Sequence, residues 1–248
     1  MPTVAEVVRE AERRLKASEA IDHPHRGRER DDVIELMKFV MGREPSLQQE
    51  LKGTTLARVR RLLTKREAGW PVAYLTGRSQ FGGLELEIGP VALAVAAKLR
   101  QARVFGVDVS SKPLALARRN TRRLRLRNVE FLRGDLFAPL PRGLVGEIDV
   151  VTIHPPYVGR AEVKTLPEEI LRFEPPESLT DFSPRGDRIV RRVASEAPPW
   201  LRPGGWLLIE VSPDRSRRVA TFLRRAGFQD VRSTSGPVPV SRVIVGRR

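Results

Sequence analysis

The chain has 248 residues, of which 40% are hydrophobic, enough for one good core or for one core and a small helical appendage. Lys and Arg outnumber Asp and Glu by 45 to 30, and the resulting charge of +15 suits RNA, ribosomal or acidic protein partners. The lack of cysteine excludes disulfides, thiolate metal sites and a cysteine nucleophile. Three histidines are too few to suggest a zinc site, and no apolar run reaches the roughly 18 residues of a membrane span. A soluble, cytoplasmic protein without a metal or a membrane partner is expected.

The first seventy residues read as helices. Thr3 and Glu6 have the spacing of a capping box, and Val4, Val7, Val8, Ala11 and Leu15 repeat at helical intervals behind them. After a polar stretch with His23, Pro24 and His25, DDVIELMKFVMG aligns Val33, Leu36, Met37, Val40 and Met41 and stops at Gly42. A third segment, TTLARVRRLLTKREAG, starts from a Thr cap, aligns Leu56, Val59, Leu62 and Leu63 and ends at Gly69. The pattern changes at WPVAYLTGRSQFGGLELEIG, where Leu84, Leu86 and Ile88 alternate between glycines as in a hairpin or extended connector.

Beyond residue 90, strands and helices alternate. RVFGVDVS, VEFLRG, IDVVTI, GWLLIEVS and SRVIVGRR read as strands. SSKPLALARRNTRRLRL, DRIVRRVASEAPPWL and PDRSRRVATFLRRAGF read as helices, the first with Ser110 or Ser111 as cap and Pro113 in its first turn. Arg118, Arg119, Arg122 and Arg123 are read equally well as a solvated helix face or as part of a nucleic-acid surface. The alternation predicts an α/β sheet covered by helices.

Ligands of open α/β sheets sit outside the carboxyl ends of the strands. Three such ends carry polar groups: Asp108 after VFGV, Asp135 in GDLF, and His154 in IHPPY. Singly, each Asp is read as readily as a cap or turn residue. In order they say more, because an acidic group about 20 residues into a βα unit is placed to accept ribose hydroxyls. Pro155 and Pro156 stiffen the third turn and hold its carbonyls outward, while Tyr157 offers a flat face.

The set AYLTGRSQFGGLELEIGP, VEFLRGDLFAPL, IDVVTIHPPY, EPPESL and APPWLRPGGWLLIEV, taken in order, resembles the HemK/PrmC glutamine N5-methyltransferases nearly end to end. That family uses S-adenosyl-L-methionine to methylate the glutamine of the Gly-Gly-Gln tripeptide in peptide chain release factors. The resemblance implies a Rossmann-like methyltransferase sheet behind a small helical bundle, with residues 1–72 docking the release factor, 73–90 a hairpin and linker, and 91–248 the methyltransferase-like part. It implies that Asp108 binds the cofactor ribose and that Asp135 with Leu136 borders the adenine. His154, Pro155, Pro156 and Tyr157 would hold the target amide, His154 also facing the cofactor. Pro203, Gly204 and Gly205 match a structural turn before a late strand.

Two departures stand out. The family's Asn-Pro-Pro-Tyr is His-Pro-Pro-Tyr here, so a rigid imidazole with one acceptor nitrogen replaces an amide with an acceptor and two donors. Protonation would remove that acceptor, so activity that depends on it should fall with pH. The second departure is larger. The family's Pro-Arg-Pro-Glu-Thr-Glu stretch, the following strand and its Gly-rich loop are missing, since LEIGP runs directly into VALAVAAKLRQARVFGVDVS. Gly89 and Pro90 are the residues left to stand in for that loop. The lost strand should deprive its neighbours of a ladder partner and the pocket of a wall, weakening or removing activity. A non-catalytic remnant that binds a release factor, ribosome or RNA is one alternative, and a nucleic-acid base amino-methyltransferase another.

Overall fold

The computed structural model describes residues 1–21, 27–77, 79–81, 84–86, 91–235 and 241–248. The elements are α1 (Val4–Ala17), α2 (Glu29–Met41), α3 (Gly53–Glu67), α4 (Val72–Thr76), β1 (Ser79–Phe81), β2 (Leu84–Leu86), α5 (Val91–Lys98), β3 (Val104–Asp108), α6 (Ser111–Arg123), β4 (Val129–Arg133), β5 (Ile148–Ile153), α7 (Glu168–Phe173), α8 (Pro176–Leu179), α9 (Arg188–Glu196), β6 (Leu201–Val211), α10 (Ser216–Arg225), β7 (Gln229–Ser235) and β8 (Arg242–Arg247). They form two compact units. The first gathers Met1–Ala102, Leu116–Arg127 and Pro167–Phe173, and the second Arg103–Ala115, Asn128–Leu166 and Glu174–Arg248.

In the first unit the capping box forms as expected: Thr3 N donates to Glu6 Oε2 at 2.7 Å and Glu6 N to Thr3 Oγ1 at 3.3 Å. Val4, Val7, Val8, Ala11 and Leu15 of α1 are buried with Val33, Leu36 and Met37 of α2 and Val59 and Leu63 of α3. Helix α2 stops at Gly42, whose φ of 70° is the left-handed cap that glycine adopts without strain. The start of α3 differs from expectation, since its N-cap is Lys52 and no side chain caps it, leaving Thr54 and Thr55 inside the first turn. The expected hairpin forms, with β1 and β2 antiparallel and Phe81 opposite Leu84. The polar stretch with His23, Pro24 and His25, and Ile88, Gly89 and Pro90, lie outside the described residues.

The second unit contains two separate sheets. Strands β3 and β4 pair in parallel, and a four-stranded sheet has the order β5-β6-β8-β7. Strand β5 runs parallel to β6, while β8 is antiparallel to both β6 and β7. Leu207, Ile209 and Val211 of β6 and Ile244 of β8 are buried against Val190 and Val193 of α9 and Val219, Phe222 and Leu223 of α10. Among the described residues β3 pairs only with β4, and β5 only with β6. On β5, which has one ladder neighbour among the described residues, Val150 is 52% exposed.

Two details differ from the sequence reading. Pro203, Gly204 and Gly205 lie inside β6 rather than before it, where the register against β5 shifts between Ile148 and Val150. Strand β7 was not expected, because QDVRSTS has no apolar alternation, and it forms as a polar edge paired with β8 alone. No helix among the described residues is long and apolar enough to cross a membrane, and no metal-binding cluster occurs among them.

One ion cluster fastens the first unit. Arg66, fully buried on α3, donates from Nε to Asp32 Oδ2 of α2 at 2.8 Å and from Nη1 to Glu169 Oε1 of α7 at 3.1 Å. Removing one member of such a cluster strands the opposite charge in a dry interior. Arg66→Ala is therefore expected to lower the unfolding free energy by about 3–5 kcal/mol, read as an earlier urea midpoint, and an unchanged midpoint would contradict this role.

Candidate active site

Asp108 is the last residue of β3 and lies opposite Arg133 in the parallel register. Gly134 N continues the ladder by donating to the Asp108 carbonyl at 3.1 Å, which ties the two strand ends together. The half-buried side chain of Asp108 accepts the Ser110 N–H on Oδ1 at 2.7 Å, an Asx turn that fixes the carboxylate and leaves Oδ2 without a partner among the described residues. The turn reading of Asp108 is thus correct for one of its oxygens.

The following turn is tightly built. A Cβ on Gly134 would lie 2.7 Å from the Pro139 ring, so this position requires glycine. Leu136 has φ of 48° and recovers the strain by packing against the core of the second unit. Asp135 accepts from Arg192 Nη1 of α9 on Oδ2 at 2.7 Å. At this exposure the pair contributes little to stability but orients the carboxylate.

His154 follows β5 directly and is exposed, whereas Pro155 is buried. The imidazole and the Tyr157 ring lie 5.7 Å apart between centroids at 45°. The Tyr157 hydroxyl is pushed above its ordinary range, first by burial and then by the charges of Glu210 and Asp214 acting against Arg215. It therefore remains a neutral phenol at physiological pH.

The loop Leu179–Gly186 clasps this turn. Tyr157 forms an antiparallel bridge with Thr180, Val158 N donates to the Leu179 carbonyl at 2.9 Å, and Arg160 N donates to the Ser183 carbonyl at 3.0 Å. Gly186 has φ of 61°, and a Cβ there would fall 2.2 Å from the Tyr157 carbonyl oxygen. Buried Asp181 anchors the loop by accepting the N–H groups of Ser183 and Ile189, each at 2.9 Å, the latter in the first turn of α9. Burial raises its carboxyl, but hydrogen bonds from Ser183, Ile189 and Arg188 outweigh this and hold it below its ordinary value. Sequence reasoning missed Asp181 and Gly186, although the turn-rich TDFSPRGD before an apolar periodic run carried the signal.

The structure brings Asp108 and the Asp135–Leu136 turn together through one ladder. The His154–Tyr157 turn belongs to the other sheet, and no strand among the described residues joins the two. Asp108 Oδ2 and Asp135 Oδ1 each keep acceptor capacity while their partner oxygens stay bonded. These residues fit a nucleoside that presents ribose hydroxyls and an exocyclic amino group.

A sequence profile described as a methyltransferase domain matches residues 87–176, the span that carries all three strand ends. By that match the chain carries a methyltransferase domain. The chain is 32% identical to a release factor glutamine methyltransferase of Burkholderia pseudomallei, covering 80% of this chain and 83% of that one. It is 29% identical to the protein of the same name from Vibrio cholerae, covering 79% and 80%. The chain belongs to the release factor glutamine methyltransferase family. A solved methyltransferase of Pyrococcus furiosus, 17% identical over 62% of this chain and 66% of that one, superposes with a TM-score of 0.45, too low to define the fold by itself.

Two variants test the clasp. Gly186→Ala is expected to displace the Tyr157 carbonyl and to lower methyl transfer by about a hundredfold, since catalysis is that sensitive to shifts of about 1 Å. The Asp181 carboxyl has a depressed folded value, so its contribution is complete above the ordinary value of 3.8 and disappears as the pH falls through the folded value. Asp181→Asn is accordingly expected to lower the thermal midpoint at neutral pH, with the difference from the parent protein closing below about pH 4.

Proposed function

We propose that the protein transfers a methyl group from S-adenosyl-L-methionine to the side-chain nitrogen of a glutamine in a peptide chain release factor. The observation that carries this reading is that two strand ends present carboxylates each held by one hydrogen bond with an oxygen to spare, while the third presents His154 beside the clasped Pro-Pro-Tyr turn. Asp108 accepts from the ribose hydroxyls, and Asp135 with Leu136 borders the adenine. When bound, the cofactor supplies an electrophilic methyl group. His154 and an outward carbonyl of Pro155 or Pro156 accept the two N–H bonds of the substrate amide, orient its nitrogen and stabilise the positive charge that it acquires. Tyr157 covers the planar amide. The amide then releases its proton to water, so neither a metal nor a general base is required. Residues 1–72 dock the release factor, 73–90 connect, and 91–248 carry the transfer.

The edges of β3 and β5, which meet no further strand among the described residues, favour a second reading, in which the protein binds its partner and turns over slowly or not at all. The basic surface supports contact with RNA or the ribosome. Helix α10 carries exposed Arg217, Arg218, Arg224 and Arg225 with no acidic residue, and on α9 the Arg191 guanidinium lies 4.1 Å over Phe222.

A calorimetric titration with S-adenosylmethionine separates the two readings. The parent protein is expected to bind, and Asp108→Ala to weaken binding by about 10- to 100-fold, the worth of charge-assisted hydrogen bonds of about 1.5–3 kcal/mol. Transfer of labelled methyl to a release factor should follow in the same preparation. A folded protein that binds no cofactor at millimolar concentration would overturn the catalytic reading.

A further inference from the structure

Four non-glycine residues among those described have positive φ: Arg125, Leu136, Phe182 and Asp230. Each is held by a local bond or contact. Arg125 follows the end of α6, where its N–H bonds the Arg122 carbonyl, Leu136 packs on the core, and Asp230 pairs with Arg247. Phe182, with φ of 60°, differs in placing a large apolar ring in water, at 51% exposure.

Folding alone gives no reason for phenylalanine here. Glycine would adopt this φ without strain, asparagine with little, and neither would expose a ring. Yet the loop holds the conformation firmly. Phe182 N donates to the Thr180 hydroxyl at 3.0 Å, and the flanking Thr180 and Asp181 are both buried. Thr180 bridges Tyr157 itself, which puts Phe182 two residues further along the loop that clasps the Pro-Pro-Tyr turn. Strain kept by a rigid surround next to a reaction site is characteristic of a functional position.

We infer that Phe182 is a specificity-determining contact for the acceptor protein, covering the peptide segment next to the target glutamine. This rests on the proposed methyl transfer to a release factor. The partner is a polypeptide loop rather than the cofactor, because Phe182 stands on the loop that clasps the Pro-Pro-Tyr turn and not on the β3–β4 ends that carry Asp108 and Asp135. An exposed aromatic anchor buried on association is a common source of affinity in protein recognition.

The test measures methyl transfer to a release factor, cofactor affinity and thermal midpoint for the parent protein and for Phe182→Gly, Phe182→Asn and Phe182→Trp. The Gly and Asn variants are expected to melt a few degrees higher, because they relieve backbone strain, and to raise the KM for the acceptor by about tenfold or more with unchanged cofactor affinity. Phe182→Trp should keep the acceptor KM near that of the parent. An unchanged acceptor KM in Phe182→Gly and Phe182→Asn, with the parent active, would overturn this contact alone. Equal loss of cofactor affinity in both would also overturn it, by assigning the ring to the cofactor pocket. An inactive parent protein would overturn the methyl-transfer reading and this inference with it.

Discussion

A strand at the edge of a sheet leaves one row of N–H and C=O groups without a strand partner, and the layout of this protein follows from two such rows. Among the described residues strand β3 turns one side to β4 and β5 one side to β6, so they hold a pair and a quartet of strands instead of one continuous sheet. The core accordingly gathers around β6 and β8 and their covering helices, where Leu207, Ile209, Val211 and Ile244 are fully buried. None of the side chains of β3 and β4 is fully buried. The two carboxylates of the candidate site therefore stand on the less buried part of the unit, and their positions depend on local bonds, the Ser110–Asp108 turn and the Arg192–Asp135 pair, more than on surrounding mass.

The Pro-Pro-Tyr turn is held in the opposite way. The strand before it has one ladder neighbour among the described residues, but the turn is gripped by the Leu179–Gly186 loop, which is fastened to the first turn of α9 through Asp181. A carboxylate at a helix N-terminus is favourable both for its hydrogen bonds and for its charge. The rigidity that a central strand would lend to the site is thus partly replaced by a loop whose every close approach is specified by a particular residue, most sharply by glycine at position 186.

The parts of this arrangement that were legible in the sequence are those with a local code. Thr3 with Glu6, the apolar faces of α1 and α2, Gly42, and the strands ending at Asp108 and before His154 announce themselves through periodicity and caps within a dozen residues. The division of the sheet was legible as well, because LEIGP is followed at once by the apolar run of a helix, with none of the family's Gly-rich stretch between. What escaped was set by partners distant in sequence. Strand β7 is recruited by β8 despite its polar composition, Asp135 is oriented by an arginine on α9, and Asp181 matters through an N–H of a helix that begins several residues later. Lys52 rather than a threonine precedes α3, because that helix depends for its stability on its buried face and not on its cap.

The buried Arg66 joins neighbours very unequally spaced along the chain. Asp32 lies 34 residues before it, but Glu169 lies 103 residues after it. During synthesis, at about 5–20 residues per second, the guanidinium has its second carboxylate within reach only about 5–20 s after Arg66 itself is made. The helices of the first unit can form early with Arg66 paired to Asp32, yet the buried cluster is complete only once α7 has emerged, so the opening segment of this protein is completed by a residue from its second half.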